Sequence, residues 1–211
     1  MIKLYCISLL IIFSGMALAA NNNYAPETIS SQSLVDFKSN PPKVKSAIEM
    51  ALELASRNIG YKYGSSEPSS GGMDCSGTIY YLLTKQGIKS VPRSSDSLYQ
   101  WIKKEGDFYS TNSNDIKTIN LSHLKPGDLL FWSGTYQAPG NSYVTHVMMY
   151  LGKNTHGDLL MIGSSDGRTY KGRQIYGVSI FDFVLPSSNS KSKFLGYSCI
   201  PQLSCERDKK N

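Results

Sequence analysis

The sequence predicts an α+β fold with N-terminal helices packed on a central antiparallel sheet. In the first half of the chain, apolar residues recur at helical spacing; in the second half, short apolar segments alternate with turn residues. Helices followed by a run of neighbouring strands are typical of the α+β class. The 211 residues, 40% of them hydrophobic and 18% charged, suit one domain with a substantial core.

Three helices are predicted before the sheet. In the first, Asn40 is the predicted N-cap, Pro41 takes the first helical position and Gly60 ends the helix. The second runs from Cys75 to Gln86 and the third from Ser95 to Lys104. The apolar face of the first helix consists of Val44, Ala47, Ile48, Ala51, Leu54, Ala55 and Ile59.

The second half of the chain has the pattern of neighbouring strands. A turn at residues 125–128 precedes the first strand, and a hairpin turn at 152–157 separates the next two. The predicted strands are 129–132, 144–151, 159–162, 177–183 and 194–200. No internal repeat or second domain is evident.

The N-terminus predicts export. Residues 1–19 have a positive start, an apolar run and the Ala17-Leu18-Ala19 cleavage pattern of a signal peptide. The apolar run is too short for a stable bilayer span, which needs about 20 apolar residues; a retained N-terminal anchor is the alternative. We expect a periplasmic or secreted protein with no integral membrane segment after cleavage.

The rest of the chain divides by composition. Residues 20–39 are rich in Asn, Ser and Gln and predict a flexible lead-in, 40–200 form one predicted folded domain, and 201–211 are a basic tail. The formal charge is +6, but the basic residues are scattered and not interleaved with aromatics. We therefore expect no nucleic-acid partner, and we expect a monomer.

Export affects the interpretation of the cysteines. The mature chain keeps Cys75, Cys199 and Cys205, an odd number that suggests one disulfide and one free thiol in an oxidising compartment. The last two are close enough in sequence to close a small loop. Buried free thiols fit the spacing equally well, because spacing does not give the Cα separation that a bridge requires.

Cys75 lies where a glycine-rich loop meets the second predicted helix, in the segment Asp74-Cys75-Ser76-Gly77. Unpaired N–H groups and the helix dipole favour an anion there. A thiolate at this position would be a nucleophile, and the same amides can stabilise an oxyanion. The alternative is a buried apolar cysteine, since free cysteine is among the most buried residue types.

A thiolate catalyst needs a partner imidazole, and the chain has three histidines. His123 precedes a turn and His156 lies at a hairpin tip, whereas His146 begins an apolar strand. A buried polar ring at that position needs a hydrogen-bond partner or a chemical role, so His146 is the candidate base. The alternative is a core histidine whose ring is hydrogen-bonded and has no chemical role. The three contexts differ and lack metal-ligand spacing, so we expect neither a metal nor a cofactor.

These motifs together resemble the NlpC/P60 family of papain-like cell-wall peptidases. Five segments occur in the family's order, and the similarity covers roughly residues 43–183. The segments are Tyr63-Gly64, Asp74-Cys75-Ser76-Gly77, Pro92-Arg93-Ser94, the residues 125–131 and the residues 146–152.

The resemblance implies a cysteine peptidase that hydrolyses the bond between γ-D-glutamate and a diamino acid, meso-diaminopimelate or lysine, in peptidoglycan stem peptides or free muropeptides. It implies that Cys75 attacks the carbonyl and that His146 accepts and returns the proton. The implied substrate-binding residues are Tyr63, Asp74, Ser76 and Arg93. In relatives that bind a free L-alanine amine, such an Asp and Ser hold the amine.

Several alternatives stay open at the level of the sequence. Asp74 is equally suited to be the N-cap of its helix, and Arg93 to be a surface charge. The family usually carries a polar residue that orients the histidine, but Gly163 stands at the matching position, with Ser164 and Ser165 as substitutes. A peptidoglycan amidase with the same Cys–His pair and a catalytically silent wall-binding module are the alternative functions.

Overall fold

The computed structural model describes residues 25–111, 114–115, 119–138, 140 and 142–205. The predicted signal peptide and the end of the basic tail, from residue 206 onward, lie outside the described residues. Within the described part, no helix has the length and apolar character needed to cross a bilayer.

Three α-helices precede the main sheet, as predicted: α1 Pro42–Ser56, α2 Cys75–Lys85 and α3 Ser95–Glu105. The prediction for the start of α1 is wrong by one residue. Pro41 is the cap residue and keeps an extended backbone, with ψ at 151°, because a residue that precedes a proline is disfavoured in the helical region. Asn40 instead donates its side-chain amide to the carbonyls of Asp36 and Phe37.

The centre of the protein is a six-stranded antiparallel sheet in the order β3-β10-β4-β5-β6-β9. The pair β1 and β2 is parallel, and the pair β7 and β8 is antiparallel. The strands are β1 Gly60–Tyr61, β2 Gly72–Met73, β3 Phe108–Ser110, β4 Leu129–Ser133, β5 His146–Lys153, β6 Leu159–Ser165, β7 Thr169–Tyr170, β8 Arg173–Gln174, β9 Gly177–Asp182 and β10 Lys193–Ser198.

The α+β prediction is confirmed, and all five predicted strands are present as β4, β5, β6, β9 and β10. The edge strand β3 was missed because its three residues are too few to show an alternation. The helix α2 packs on β5 and β6, which places its first residue beside the start of β5. Residues 146–152 of β5 are all buried, as expected for a strand covered on both faces.

Part of the segment predicted as a flexible lead-in is anchored to the domain. The Glu27 amide donates to the hydroxyl of Ser179, and the Thr28 hydroxyl donates to the Leu52 carbonyl. Leu34 and Phe37 are buried in the core. These two apolar side chains were outnumbered by polar neighbours, so the average composition concealed the packing that they provide.

The folded domain also extends beyond its predicted end at residue 200. Cys199 and Cys205 form a disulfide with Cα atoms 4.9 Å apart, which settles the pairing that the sequence left open. The enclosed turn is packed inward, because Leu203 is buried and the Ser204 hydroxyl accepts from the Ile200 amide. Residues 201–205 therefore belong to the domain and not to a tail.

Replacing Cys199 and Cys205 together by serine should lower the free energy of unfolding by about 2 kcal/mol, the chain-entropy value for a short loop. Urea denaturation of the oxidised wild type and of the double variant measures this difference. Wild-type protein unfolded under reducing conditions should match the variant. Equal unfolding midpoints for the oxidised wild type and the variant would contradict the expected contribution.

Candidate active site

Asp74 caps helix α2 and joins it to the preceding loop. Its backbone is extended, and its Oδ1 accepts from the amide of Gly77 at 2.6 Å. Its Oδ2 accepts from the amide of Gly64 at 2.7 Å. An aspartate at this position satisfies helix N–H groups that have no partner within the helix. The N-cap role considered for Asp74 is therefore present in the structure, one residue before Cys75.

Arg93 is paired with the same carboxylate and is not an isolated surface charge. Its two terminal nitrogens donate to the two oxygens of Asp74 at 3.1 and 3.0 Å, and one of them also donates to the Ser76 hydroxyl at 3.0 Å. The structure thus brings together three predicted substrate-site residues. In the resting state, the Asp74 charge is already neutralised by a bidentate partner.

The start of α3 continues this network toward His146. The Ser95 hydroxyl donates to the Val144 carbonyl at 2.8 Å, and Asp96 accepts from the Val144 amide at 3.2 Å. Arg93 lies two residues before this helix, and Val144 lies two residues before His146. The segment from Arg93 to Asp96 is therefore bonded at one end to Asp74, next to Cys75, and at the other end to the residues that lead into β5.

Cys75 is the first residue of α2 and is only 6% exposed. Its sulfur lies 4.0 Å from the carbonyl oxygen of Thr145, the residue before His146. Burial and the Asp74 charge raise the pKa of the thiol to about 11, although the amides of Val147 and Ser76 oppose this shift. The expected stabilisation of a thiolate at the helix start is therefore outweighed by desolvation in the resting state.

His146 begins β5 opposite Trp132 of β4, and it is 8% exposed. Burial, and then the charge of Arg168, lower the pKa of the imidazole well below its ordinary value. Its Nε2 and the Trp132 Nε1 are both buried without a hydrogen-bond partner among the described residues. Within the same set of residues, no hydrogen bond joins the imidazole to the Cys75 thiol. The thiol of Cys75 and the imidazole of His146 are therefore both neutral at rest.

None of the positions considered for orienting His146 bonds to its ring. A side chain at Gly163 would place its Cβ 2.4 Å from the Met148 sulfur, so the thioether fills that space. The Ser164 hydroxyl donates to the Met73 carbonyl at 2.6 Å. The Ser165 hydroxyl accepts from two amides of the following turn. The residue that orients the imidazole is therefore still unassigned.

Arg168 is a site residue that the sequence did not reveal. Its guanidinium lies 4.1 Å above the Trp132 ring, and the centroid of that ring is 5.9 Å from the centroid of the His146 ring. In the sequence, Arg168 follows Ser-Asp-Gly and has the pattern of a surface turn. Only the pairing of β4 with β5 and the turn after β6 bring it to His146, so no local signal was present.

Two neighbouring cavities expose Cys75 and His146, one residue in each. The first, which we call the thiol-side cavity, measures about 290 Å³ and is lined by residues that include Cys75, Asp74 and Arg93. The second, the imidazole-side cavity, measures about 570 Å³ and is lined by residues that include His146 and Arg168. Both cavities are bordered by Tyr61, Tyr63 and Tyr136. They therefore form two halves of one groove.

Tyr63 is the most exposed of the predicted substrate-site residues. It is 62% exposed and packs edge-on against Tyr136, with ring centroids 6.1 Å apart. Tyr61 and Tyr136 were not predicted from the sequence, and they join Tyr63 at the boundary between the two half-grooves. Among the described residues, no group of three or more His, Cys, Asp or Glu side chains could hold a metal ion.

Comparison with known proteins places this architecture in a family. The profile of the NlpC/P60 family matches residues 58–176, which is more than half of the chain and includes Cys75 and His146. The chain therefore belongs to the NlpC/P60 family, and the resemblance seen in the sequence is confirmed.

Two curated relatives are similar over the same region. The chain is 30% identical over 112 residues to the murein DD-endopeptidase MepH of Escherichia coli (strain K12) and covers 35% of it. It is 32% identical over 92 residues to the bifunctional muramidase/DL-endopeptidase CwlT of Bacillus subtilis (strain 168) and covers 22% of it. These alignments include 52% and 44% of this chain. Because they cover only 35% and 22% of the two relatives, the chain spans a minor part of the length of each.

Among solved structures, an NLP/P60-family protein of Staphylococcus aureus, described as similar to a lipoprotein, aligns with a TM-score of 0.48 at 22% identity. The alignment covers 83% of this chain and 43% of the other.

Replacing Gly77 by alanine should disrupt the start of α2. The added Cβ would lie 2.1 Å from the Ser65 carbonyl oxygen and 2.9 Å from both an Asp74 oxygen and an Arg93 nitrogen. We expect a loss of about 3 kcal/mol in the free energy of unfolding, the upper range for overpacking. Gly167→Ala is the matched control, because its added Cβ would meet only the flexible amide end of Gln174 at 3.2 Å. A Gly77→Ala variant as stable as that control in denaturant titration would contradict this expectation.

Proposed function

We propose that the protein is an exported cysteine endopeptidase that hydrolyses peptidoglycan stem peptides at the bond between γ-D-glutamate and the diamino acid. The observation that carries the proposal is the placement of the Cys75 sulfur, at the first residue of α2 and 4.0 Å from the carbonyl that precedes His146. Membership of the NlpC/P60 family and the endopeptidase names of both curated relatives support it.

In the first step, the Cys75 sulfur attacks the γ-carbonyl carbon of glutamate while His146 takes the thiol proton. The raised pKa of the thiol and the lowered pKa of the imidazole favour a transfer that accompanies attack over a preformed ion pair. The amide of Ser76 in the first turn of α2 can stabilise negative charge near the sulfur and the substrate oxygen.

In the second step, His146 gives its proton to the amine of the diamino acid, which leaves as the C–N bond breaks. The glutamyl group is then held on Cys75 as a thioester. Water attacks the thioester, His146 accepts the water proton and returns it to the sulfur, and the free carboxylate departs. In this assignment, the leaving amine lies on the imidazole side of the groove and the glutamyl group on the thiol side.

The other substrate-binding roles follow from this orientation. Tyr63 borders both half-grooves, whereas Asp74, Ser76 and Arg93 line the thiol side. An N-terminal ammonium of the stem peptide would be attracted to Asp74, although it must share that carboxylate with Arg93. We also propose that the protein acts as a monomer after residues 1–19 have been removed.

A second candidate bond is the peptide cross-link. The name of one relative specifies a DD-endopeptidase and that of the other a DL-endopeptidase, so relatives at this level of similarity differ in the bond that their names specify.

Two other functions are alternatives to an endopeptidase. An amidase with the same Cys–His pair would free whole stem peptides. A silent wall-binding module is the remaining alternative, and the unpaired Nε2 of His146 is the observation that favours it.

Cys75→Ala and His146→Ala should each reduce the release of fragments from purified peptidoglycan by at least about 1000-fold, since loss of either member removes the nucleophile or its base. Mass spectrometry of the products measures the rate and identifies the bond. The exposed His123, which stacks on Tyr109, provides the matched control His123→Ala with normal activity. Normal digestion by both site variants would overturn the catalytic assignment.

The pH dependence of kcat/KM should reflect the environment of His146. The base must be neutral, and burial together with Arg168 lowers the pKa of this imidazole, so activity should persist below pH about 6.5, the ordinary histidine value. Arg168→Gln removes the positive neighbour and should move the acid limb to higher pH. An acid limb at or above the ordinary value in the wild type, or one that does not move in the variant, would contradict this account.

A further inference from the structure

Within the described part of the chain, Arg168 is a charged side chain of the groove that has no partner of opposite charge. Its guanidinium rests on the face of Trp132 in the imidazole-side cavity. Among the described residues, the side chain of Arg168 forms neither an ion pair nor a hydrogen bond, and only its backbone amide donates, to the Ser165 hydroxyl. A partly buried guanidinium retains five N–H donors that need acceptors.

The other arginines of the described part contrast with it. Arg57 pairs with Glu53, Arg93 with Asp74 and Arg173 with Glu27. Burial lowers the pKa of Arg168 to about 10, which reflects the cost of removing an uncompensated charge from water. Asp166 lines the same cavity but is exposed and forms no ion pair with it. This position therefore favours an anion supplied by a ligand.

We propose that Arg168 binds the second carboxylate of a diaminopimelate residue on the leaving-group side of the groove, and this inference rests on the function proposed above. His146 returns its proton to the leaving amine, so the diamino acid must lie on the imidazole side. Arg168 and His146 both line the imidazole-side cavity, and both lie next to the Trp132 ring. The guanidinium is therefore next to the residue whose amine leaves.

A contact with Arg168 would distinguish diaminopimelate from lysine, because only diaminopimelate carries a second carboxylate. In diaminopimelate, three methylene groups separate the amide-forming centre from a second centre that carries an ammonium and a carboxylate. Lysine carries only the ammonium at the end of its side chain. Because the flat face of the guanidinium is stacked on indole, its N–H edge remains available for a bidentate carboxylate.

Asp166 is placed to bind the ammonium at the second centre of diaminopimelate. Its exposed carboxylate lines the cavity with Arg168 and can attract the side-chain ammonium that diaminopimelate and lysine share. Asp166 therefore contributes to the binding of both diamino acids, whereas Arg168 distinguishes them. The specificity of the enzyme is for diaminopimelate with a free carboxylate, over lysine and over diaminopimelate whose carboxylate is amidated.

The test compares two synthetic peptides, L-Ala-γ-D-Glu-meso-diaminopimelyl-D-Ala and the same peptide with a carboxamide at the second centre. These peptides differ in one charge and keep the same scissile bond and ammonium. The wild type should cleave the carboxylate form with a kcat/KM at least about tenfold higher, as expected for a charge-assisted contact. Arg168→Gln should bring this ratio close to one, mainly by slowing cleavage of the carboxylate form, and Arg168→Lys should retain part of it.

Arg57→Gln, at the exposed end of α1, is the matched control and should keep the wild-type ratio. Because the ratio is measured within one protein preparation, a partial loss of folded Arg168→Gln protein does not affect it. Equal cleavage of the two peptides by the wild type would overturn the role of Arg168 and leave the proposed function intact. If the Arg168→Gln variant cleaves both peptides more slowly by the same factor, the role of Arg168 is also overturned. Cleavage of neither peptide by the wild type would overturn both proposals.

Discussion

The buried carboxylate of Asp74 is the interaction on which the geometry of the groove depends. It accepts hydrogen bonds from the loop at Gly64, from the first turn of α2 at Gly77 and from Arg93 beside α3. The start of α3 is bonded in turn to Val144, close to His146. Asp74 is buried whereas the Arg93 side chain is 34% exposed, so water partly screens this ion pair while the backbone donors hold the carboxylate from within. One polar network thus positions Cys75 and the segment that leads into His146.

The burial of Cys75 and His146 has an electrostatic consequence. Desolvation raises the pKa of the Cys75 thiol and lowers that of the His146 imidazole, so both groups are neutral at rest. A positive neighbour, Arg168, opposes a second positive charge on the imidazole while it favours negative charge on the sulfur. In the proposed reaction, both groups therefore acquire charge only as the substrate is attacked. Among the described residues, the Nε2 atom of His146 has no hydrogen-bond partner.

The α2 helix and its Cys75 were predictable, because the capping aspartate and the change from a glycine-rich loop to an apolar period are local signals. The strand that carries His146 was predictable for a similar reason. By contrast, Arg168 and Tyr136 come from turns that look like ordinary surface. The exclusion of a side chain at residue 163 by Met148 depends on contact between two strands, which sequence spacing does not show.

The sequence by itself determined the α+β class and the family, and it singled out Cys75 and His146 as the candidate nucleophile and base. Each of these follows from residues within one segment or from the order of segments. Tertiary structure decided the partner of Arg93, the Cys199–Cys205 bridge, the anchoring of residues 25–39 and the placement of Arg168 on Trp132. These features join residues that are distant in sequence or need a defined Cα separation. Such contacts exist only after the sheet has paired and the helices have packed on it.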